Sequence, residues 1–284
     1  MRDIIVEKLG ESRDLKSFLL KTFTRPYVEK LFKKKCVKVN GKRAYEDTGL
    51  QIGDKVVFYL PFEEKQVNFD VLLDTADFMV INKPAGVVVH EGETVSEGQS
   101  LIGMMRKKYP DLFLVHRLDA ASSGCLILAK GRTNAEYFMK MFKRGDFEKI
   151  YLVLVRGNFQ SESGKLKTEI SGRSGVQVMA ETDFDVMDYS NEENVSFLRV
   201  QILTGRKHQI RKQFSLDGYP VVLDDKYGDF TFNKEFKKKF KLRRQFLHSY
   251  EISFNWKNKK YRVKARLPDD LKKTLQLLRF SEGF

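Results

Sequence analysis

The chain is poor in cysteine: only Cys36 and Cys125 occur in 284 residues. They lie far apart and neither belongs to a CxxC pair, which argues against a disulfide scaffold and a zinc knuckle and fits a reducing cytosol. No uncharged run approaches the roughly 18 residues that a membrane-spanning helix needs. The opening MRDIIVEKLGESRD is interrupted by charge, unlike a secretory leader. Neither GxGxxG nor GxxxxGK[ST] occurs, so nucleotide-cofactor enzymes are disfavoured. The four histidines, His90, His116, His208 and His248, show no ligand spacing. Neither a cofactor nor a metal is expected, and a cytoplasmic monomer is.

What the chain has in excess is positive charge. Lys and Arg number 52 against 38 Asp and Glu, a formal charge of +14. Residues 1–65 carry +5, residues 66–225 carry −2 and residues 226–284 carry +11. Two basic ends flanking a near-neutral middle are the layout of a polyanion clamp around a reaction site, with nucleic acid as the natural partner. KEFKKKFKLRR (234–244) belongs to this excess, and its bland reading is a solvated helix face. With 42% hydrophobic residues and 23 Phe, the chain can also bury a sizeable core.

The amino-terminal stretch reads as a small module. DLKSFLLKTF supplies a short helix, and TRPYVEKLFKKK (24–35) a second, with Thr24 as start signal and Val28, Leu31 and Phe32 on one face. Asn40-Gly41 marks a turn, and QIGDKVVFYL runs into a strand after Gly53-Asp54. Polar PFEEKQVNFDV (61–71) reads as a linker. Two domains are expected, at 1–62 and 70–284.

Chemistry concentrates in two clusters. LVHRLDAASSGCLILAK (114–130) sets His116, Arg117 and Asp119 between apolar segments. Buried polar groups are expensive unless paired, so that placement needs a reason, if only an Arg117–Asp119 turn salt bridge. ILTGRKHQIRKQF (202–214) repeats the pattern, with a helix expected after Gly205 carrying several cations. A carboxylate from one cluster and a guanidinium from the other would satisfy each other. His208 reads as a capping or core histidine, and Tyr151, taken as lying at a strand edge, as packing.

Together, Asn82-Lys83-Pro84-Ala85-Gly86, His116-Arg117-Leu118-Asp119 with Ser122-Ser123-Gly124, Lys149-Ile150-Tyr151 and Thr204-Gly205-Arg206-Lys207-His208-Gln209-Ile210-Arg211 resemble, in order and rough spacing, the RluA-type pseudouridine synthases. The resemblance covers about 75–250. The amino-terminal module, through Leu15-Lys16-Ser17-Phe18-Leu19, Leu31-Phe32, Val37 to Gly41 and Gly53 to Val56, resembles the RNA-binding domain named after ribosomal small-subunit protein four (S4-like). That pairing points to the large-subunit ribosomal RNA branch. The family often has Arg where Asp14 stands, a basic or polar residue where Ala120 stands, and Gly where Lys35 and Leu223 stand.

The resemblance implies that Asp119 is the nucleophile that detaches uracil from ribose so that it rejoins through carbon five, chemistry a carboxylate performs without metal or redox cofactor. It implies Arg211 as ion-pair partner, Tyr151 as the ring under the uracil, and Arg117 as the arginine entering the RNA where the base leaves. His116 is read chiefly as support for the loop. RNA contacts are expected from Arg117, His116, Arg206, Lys33, Lys34, Lys38, Lys42 and Arg43. The expected fold is α+β, a mixed, largely antiparallel catalytic sheet with a small amino-terminal α/β S4-like domain. The other readings are a non-catalytic ribosome-assembly factor, the same enzyme acting on transfer RNA, and an RNA glycosidase, which would need a second carboxylate at the site.

Overall fold

The computed structural model describes residues 2–9, 13–23, 25–58, 69–90, 100–159, 161–172 and 175–281. Thr24 and most of the expected linker, 61–68, lie outside the described residues. The chain divides into two compact units, residues 1–68 with 88–110, and residues 69–87 with 111–284.

In the first unit, β1 (Arg2–Ile5), α1 (Leu15–Leu20), α2 (Arg25–Lys33), β2 (Val37–Val39), β3 (Lys42–Arg43) and β4 (Lys55–Phe58) follow in chain order, with α3 (Leu101–Arg106) beyond them. The strands form a sheet ordered β1-β4-β2-β3, and β1 is a strand the sequence reading lacked. Leu15, Leu19, Val28, Leu31, Val56 and Phe58 are buried in its core. Asp14 has a local job: its carboxylate accepts from the Ser17 amide at 2.8 Å and caps α1. Asn40 (φ 48°) and Gly41 (φ 79°) both take positive φ, the geometry a two-residue hairpin loop requires. At the exit of α2 the amide of Cys36 donates to Leu31 O and that of Lys35 to Phe32 O, both at 2.9 Å. That is a Schellman cap with Lys35 (φ 56°) at the position usually given to glycine.

The second unit contains β5 (Asp70–Asp74), β6 (Phe78–Lys83), β7 (Leu112–Leu114), β8 (Ser123–Lys130), α4 (Arg132–Arg144), β9 (Phe147–Arg156), β10 (Ser163–Ser171), β11 (Gln177–Ser190), β12 (Val195–Ile202), α5 (Gln209–Leu216), α6 (Phe230–Phe240), β13 (Leu247–Trp256), β14 (Lys259–Lys264) and α7 (Asp269–Leu278). Its strands make one sheet ordered β10-β11-β12-β9-β13-β8-β6-β5, with β14 on β13 and β7 on β8. All pairs are antiparallel except β8 with β13. The α+β, mixed and largely antiparallel architecture is the one expected.

β11 runs 14 residues and β9 and β13 run 10. Two expectations are corrected. The second-cluster helix starts at Gln209 rather than just after Gly205, because His208 takes a left-handed conformation (φ 56°) that an α-helix cannot include. Tyr151 is not at a strand edge: it lies inside β9 between Val200 of β12 and Ser249 of β13.

Two apolar clusters sandwich this sheet. Phe138 and Met141 of α4 pack with Phe78, Phe147 and Phe254, while Phe236 and Phe240 of α6 and Leu271 and Leu275 of α7 pack with Leu152 and Phe197. Half of the KEFKKKFKLRR stretch is therefore structural. Its Phe residues are core, Lys239 pairs with Glu193, and Arg244 forks onto Asp270 at 2.6 and 2.8 Å. Among the described residues no helix is long and apolar enough to cross a membrane.

Candidate active site

The first motif lies in the connection between β7 and β8, and buried partners pin it. His116 accepts the Ile127 amide on Nε2 at 2.8 Å and stacks on Phe142 with ring centres 4.5 Å apart. Burial, with the nearby Lys149 cation, pushes its pKa down to about 3, so this imidazole is a neutral brace at physiological pH. Lys83, at the end of β6, is fully buried and donates from Nζ to Pro84 O at 2.8 Å, Ala120 O at 3.2 Å and Ser122 O at 2.8 Å. Burial lowers its pKa to about 7, while three carbonyl dipoles favour the ammonium form.

The other side of the loop is tied to β13 and its neighbours. Gly124 (φ 114°) can be nothing larger, since a Cβ there would lie 2.1 Å from Ser249 O. His248 is buried, with its pKa pushed down to about 4 by burial. Its Nε2 lies 3.0 Å from Ala265 O, which can only accept, so Nε2 carries the proton. Nδ1 then accepts from the Ser123 hydroxyl at 2.9 Å, and Arg244 Nη1 donates to that hydroxyl at 3.2 Å.

From this scaffold the Asp119 side chain, 19% exposed, meets the second motif. Arg211, on the first turn of α5, donates Nη1 to Asp119 Oδ2 at 2.9 Å across 92 positions of sequence. Its Nε and Nη2 fork onto Asp224 at 2.6 and 2.8 Å, and Nη2 also reaches Asp225 at 2.9 Å. Asp224 is fully buried and accepts the amides of Lys226 and Tyr227 at 2.8 Å. Burial opposes charge on both groups, but the bonds between them outweigh it, raising the Arg211 pKa and lowering that of Asp224.

His208 completes the contact with Asp119. Its Nε2 lies 3.4 Å from Asp119 Oδ1 and its Nδ1 3.1 Å from the Tyr227 hydroxyl. Burial lowers its pKa; Asp119 pulls the other way, and Arg211, Lys207 and Lys226 add to the lowering. Gln209 shapes the loop that presents it: Oε1 accepts from Thr204 Oγ1 at 2.7 Å and from the Arg206 amide at 3.0 Å, and Nε2 donates to Glu181 O at 2.9 Å.

Tyr151 is 8% exposed. Burial raises its pKa despite the hydrogen bond with Ser249, and Asp119 adds to the rise. Arg117 and Arg206 are exposed, and Arg206 Nε donates to Met179 O at 3.2 Å. Lys33, Lys34, Lys38, Lys42 and Arg43 are exposed in the first unit, on the exit of α2 and on β2 and β3.

Sequence reasoning missed four participants. Lys83 lay inside a quoted motif but had no role. Asp224 had no signal separating it from Asp225. Tyr227 went unremarked, and His208 was given only a capping or core role although it faces Asp119. Among the described residues no three His, Cys, Asp or Glu side chains gather as metal ligands would.

Residues 77–216 match the family model described as RNA pseudouridylate synthase. The chain is 33% identical over 292 residues to ribosomal large subunit pseudouridine synthase C of Haemophilus influenzae, covering 93% of this chain and 89% of that protein. It is 32% identical over 289 residues to the protein of that name from Escherichia coli K12, covering 92% and 90%. Among solved structures, human RNA pseudouridylate synthase domain containing 4 superposes with a TM-score of 0.62 at 22% identity, covering 75% of this chain and 94% of that one. Human RNA pseudouridylate synthase domain containing 1 gives 0.59 at 24% identity, covering 75% and 95%.

Proposed function

This chain belongs to the RNA pseudouridylate synthase family and is an RNA isomerase; from that premise we propose that it converts uridines of large-subunit ribosomal RNA to pseudouridine with Asp119 as nucleophile. The substrate class rests on relatives that share about a third of their residues with nearly the whole chain and are named for the ribosomal large subunit. The observation that carries the site is the Arg211–Asp119 contact at 2.9 Å, backed by Asp224.

In the reaction the C1′–N1 bond breaks and a C1′–C5 bond forms, while C5 loses a proton and N1 gains one. Atoms and electrons balance with no oxidant, reductant or co-substrate. Asp119 carries the cleavage of the C1′–N1 bond and is released unchanged when the C1′–C5 bond forms. Arg211 occupies one carboxylate oxygen and fixes its direction, which leaves Oδ1 and the His208 side to the substrate. A buried phenol with a raised pKa is a poor base, so Tyr151 serves as the surface against which uracil turns more than as a proton acceptor.

Arg117, exposed two residues before Asp119, would occupy the stack vacated by the flipped base; unstacking costs a few kcal/mol, which a planar cation partly offsets. Residues 1–62 serve as an S4-like RNA-binding domain. Lys38 and Arg43 stand directly opposite each other across β2 and β3, and both are exposed cations. Lys33, Lys34 and Lys42 extend the same basic region.

The test is tritium release from RNA labelled at carbon five of uracil, with large-subunit ribosomal RNA and transfer RNA in parallel and Asp119→Asn beside the wild type. Release from ribosomal RNA that depends on Asp119 is expected. No release from either RNA, in a protein that binds one tightly, would move the reading to a non-catalytic assembly factor.

A further inference from the structure

Most lysines that pair in this protein pair with carboxylates: Lys16, Lys55, Lys130, Lys165, Lys167, Lys239, Lys257 and Lys264 each have an acidic partner. Three lysines around the reacting aspartate do not. Among the described residues, no carboxylate oxygen lies within ion-pair distance of Lys207, Lys212 or Lys226. Lys207 directly precedes His208, whose Nε2 is 3.4 Å from Asp119. Lys212 stands one turn further along α5, its amide bonded to His208 O at 2.9 Å, and its Nζ has only the carbonyl of Ser171. Lys226 lies in the Asp224–Tyr227 turn with Nζ 5.4 Å from the centre of the Tyr227 ring, the ring that also takes Arg211 at 5.3 Å and whose hydroxyl meets His208. The nearest acids are committed elsewhere, since Asp119, Asp224 and Asp225 all bond Arg211.

We infer that Lys207, Lys212 and Lys226 form a binding site for a backbone phosphodiester of the RNA next to the target nucleotide. The inference rests on the reading that the substrate is RNA. Three cations gathered around one histidine repel one another unless an anion joins them, and the pKa of Lys212, lowered first by burial, is lowered further by Lys226 and Lys207. A phosphate seated there would relieve that repulsion and register the ribose against Asp119, a positioning contact that carries no sequence information.

The experiment is equilibrium binding of the full-length protein to fluorescein-labelled oligouridylate across a salt series, for wild type, the three single Lys→Gln variants and the triple variant. Losing that one phosphate contact on a single strand should lower the slope of log K against log salt by about 0.7 in the triple variant, with each single variant falling between it and the wild type. Lys→Arg at the same positions should restore the slope, because the charge remains. Lys140→Gln on the exposed face of α4 is the net-charge comparison. A triple variant with the wild-type slope, a Lys140→Gln effect as large as that of Lys212→Gln, or wild-type protein that fails to bind the oligonucleotide would each overturn the site. Tritium release by the wild type is read separately, so an absence of isomerase activity stays distinguishable from an absence of the phosphate contact.

Discussion

Arg211 and Asp224 are joined by two hydrogen bonds of 2.6 and 2.8 Å inside the protein, and only the remaining Nη1 is turned to Asp119. The partner of Asp119 is thus held by a second carboxylate that is itself fully buried, while Asp225 beside it is 83% exposed. Removing the inner charge should leave a buried guanidinium under-compensated. Asp224→Asn is expected to cost about 3–5 kcal/mol of folding stability and to lower turnover, whereas Asp225→Asn should cost less than about 1 kcal/mol. Urea denaturation of both variants decides this; equal losses would mean that Asp224 is not the anchor.

Asp119→Asn should abolish isomerisation while leaving folding and most RNA affinity intact, because phosphate contacts elsewhere carry most of the binding. Arg211→Lys keeps the charge but has one point donor where the site uses three guanidinium nitrogens. A rate loss of more than about tenfold, or 1.4 kcal/mol, is expected. Near-normal turnover of Arg211→Lys under single-turnover conditions would remove the positioning role.

The Asp119–Arg211 pair was legible through the family resemblance, since the two dense polar motifs alone left a local Arg117–Asp119 turn salt bridge equally open. Asp224 was not, because two adjacent aspartates differ only in which one the turn points inward, after Leu223 in a left-handed conformation (φ 60°). The function of Lys83 was hidden for a similar reason: its three acceptors are backbone carbonyls, which leave no mark in sequence. The sheet order was also out of reach, since register between strands such as β8 and β13 depends on contacts across more than a hundred residues.

Lys83→Met should therefore be harmful although Lys83 touches neither Asp119 nor solvent. Met fills similar space but leaves the carbonyls of Pro84, Ala120 and Ser122 without their shared donor, and each buried group left unpaired costs about 1–3 kcal/mol. Lower stability with a fall in turnover larger than the fall in RNA affinity is the expected result. A variant as stable and active as wild type would show that the loop holds its form without this anchor.

Stability should fall on mild acidification, before carboxylates titrate. His116 and His248 have folded pKa values of about 3 and about 4, against about 6.5 in an unfolded chain. Their contribution is complete above about pH 6.5 and is lost as pH falls toward 4 and then 3, because only the unfolded state takes up those protons. Through the window between roughly 6 and 4.5, two protons taken up on unfolding correspond to about 2.7 kcal/mol per pH unit. His208, half-buried and shifted the same way, adds to that slope. His248→Gln, which can still donate to Ala265 O and accept from Ser123, should remove about one proton from the uptake measured by denaturation at several pH values; an unchanged uptake would show that His248 is protonated in the folded state.

A final prediction concerns the departures from glycine. Lys35 and Leu223 both adopt left-handed backbone conformations, with φ of 56° and 60°, where the resembling family often has glycine. An L-residue pays about 1–2 kcal/mol for that conformation, while glycine in place of another residue gives back part of the gain through the greater freedom of the unfolded chain. At Lys35, which is exposed at the cap of α2, nothing else is lost, so Lys35→Gly should stabilise the protein by about 0.5–1 kcal/mol. At Leu223 the side chain also packs against the α6 and α7 cluster, and removing it forfeits that burial. Leu223→Gly should therefore be neutral or destabilising despite the same backbone relief. Thermal melts of the two variants would separate backbone strain from packing, and a gain at Leu223 matching that at Lys35 would show that the Leu223 side chain contributes nothing to the cluster.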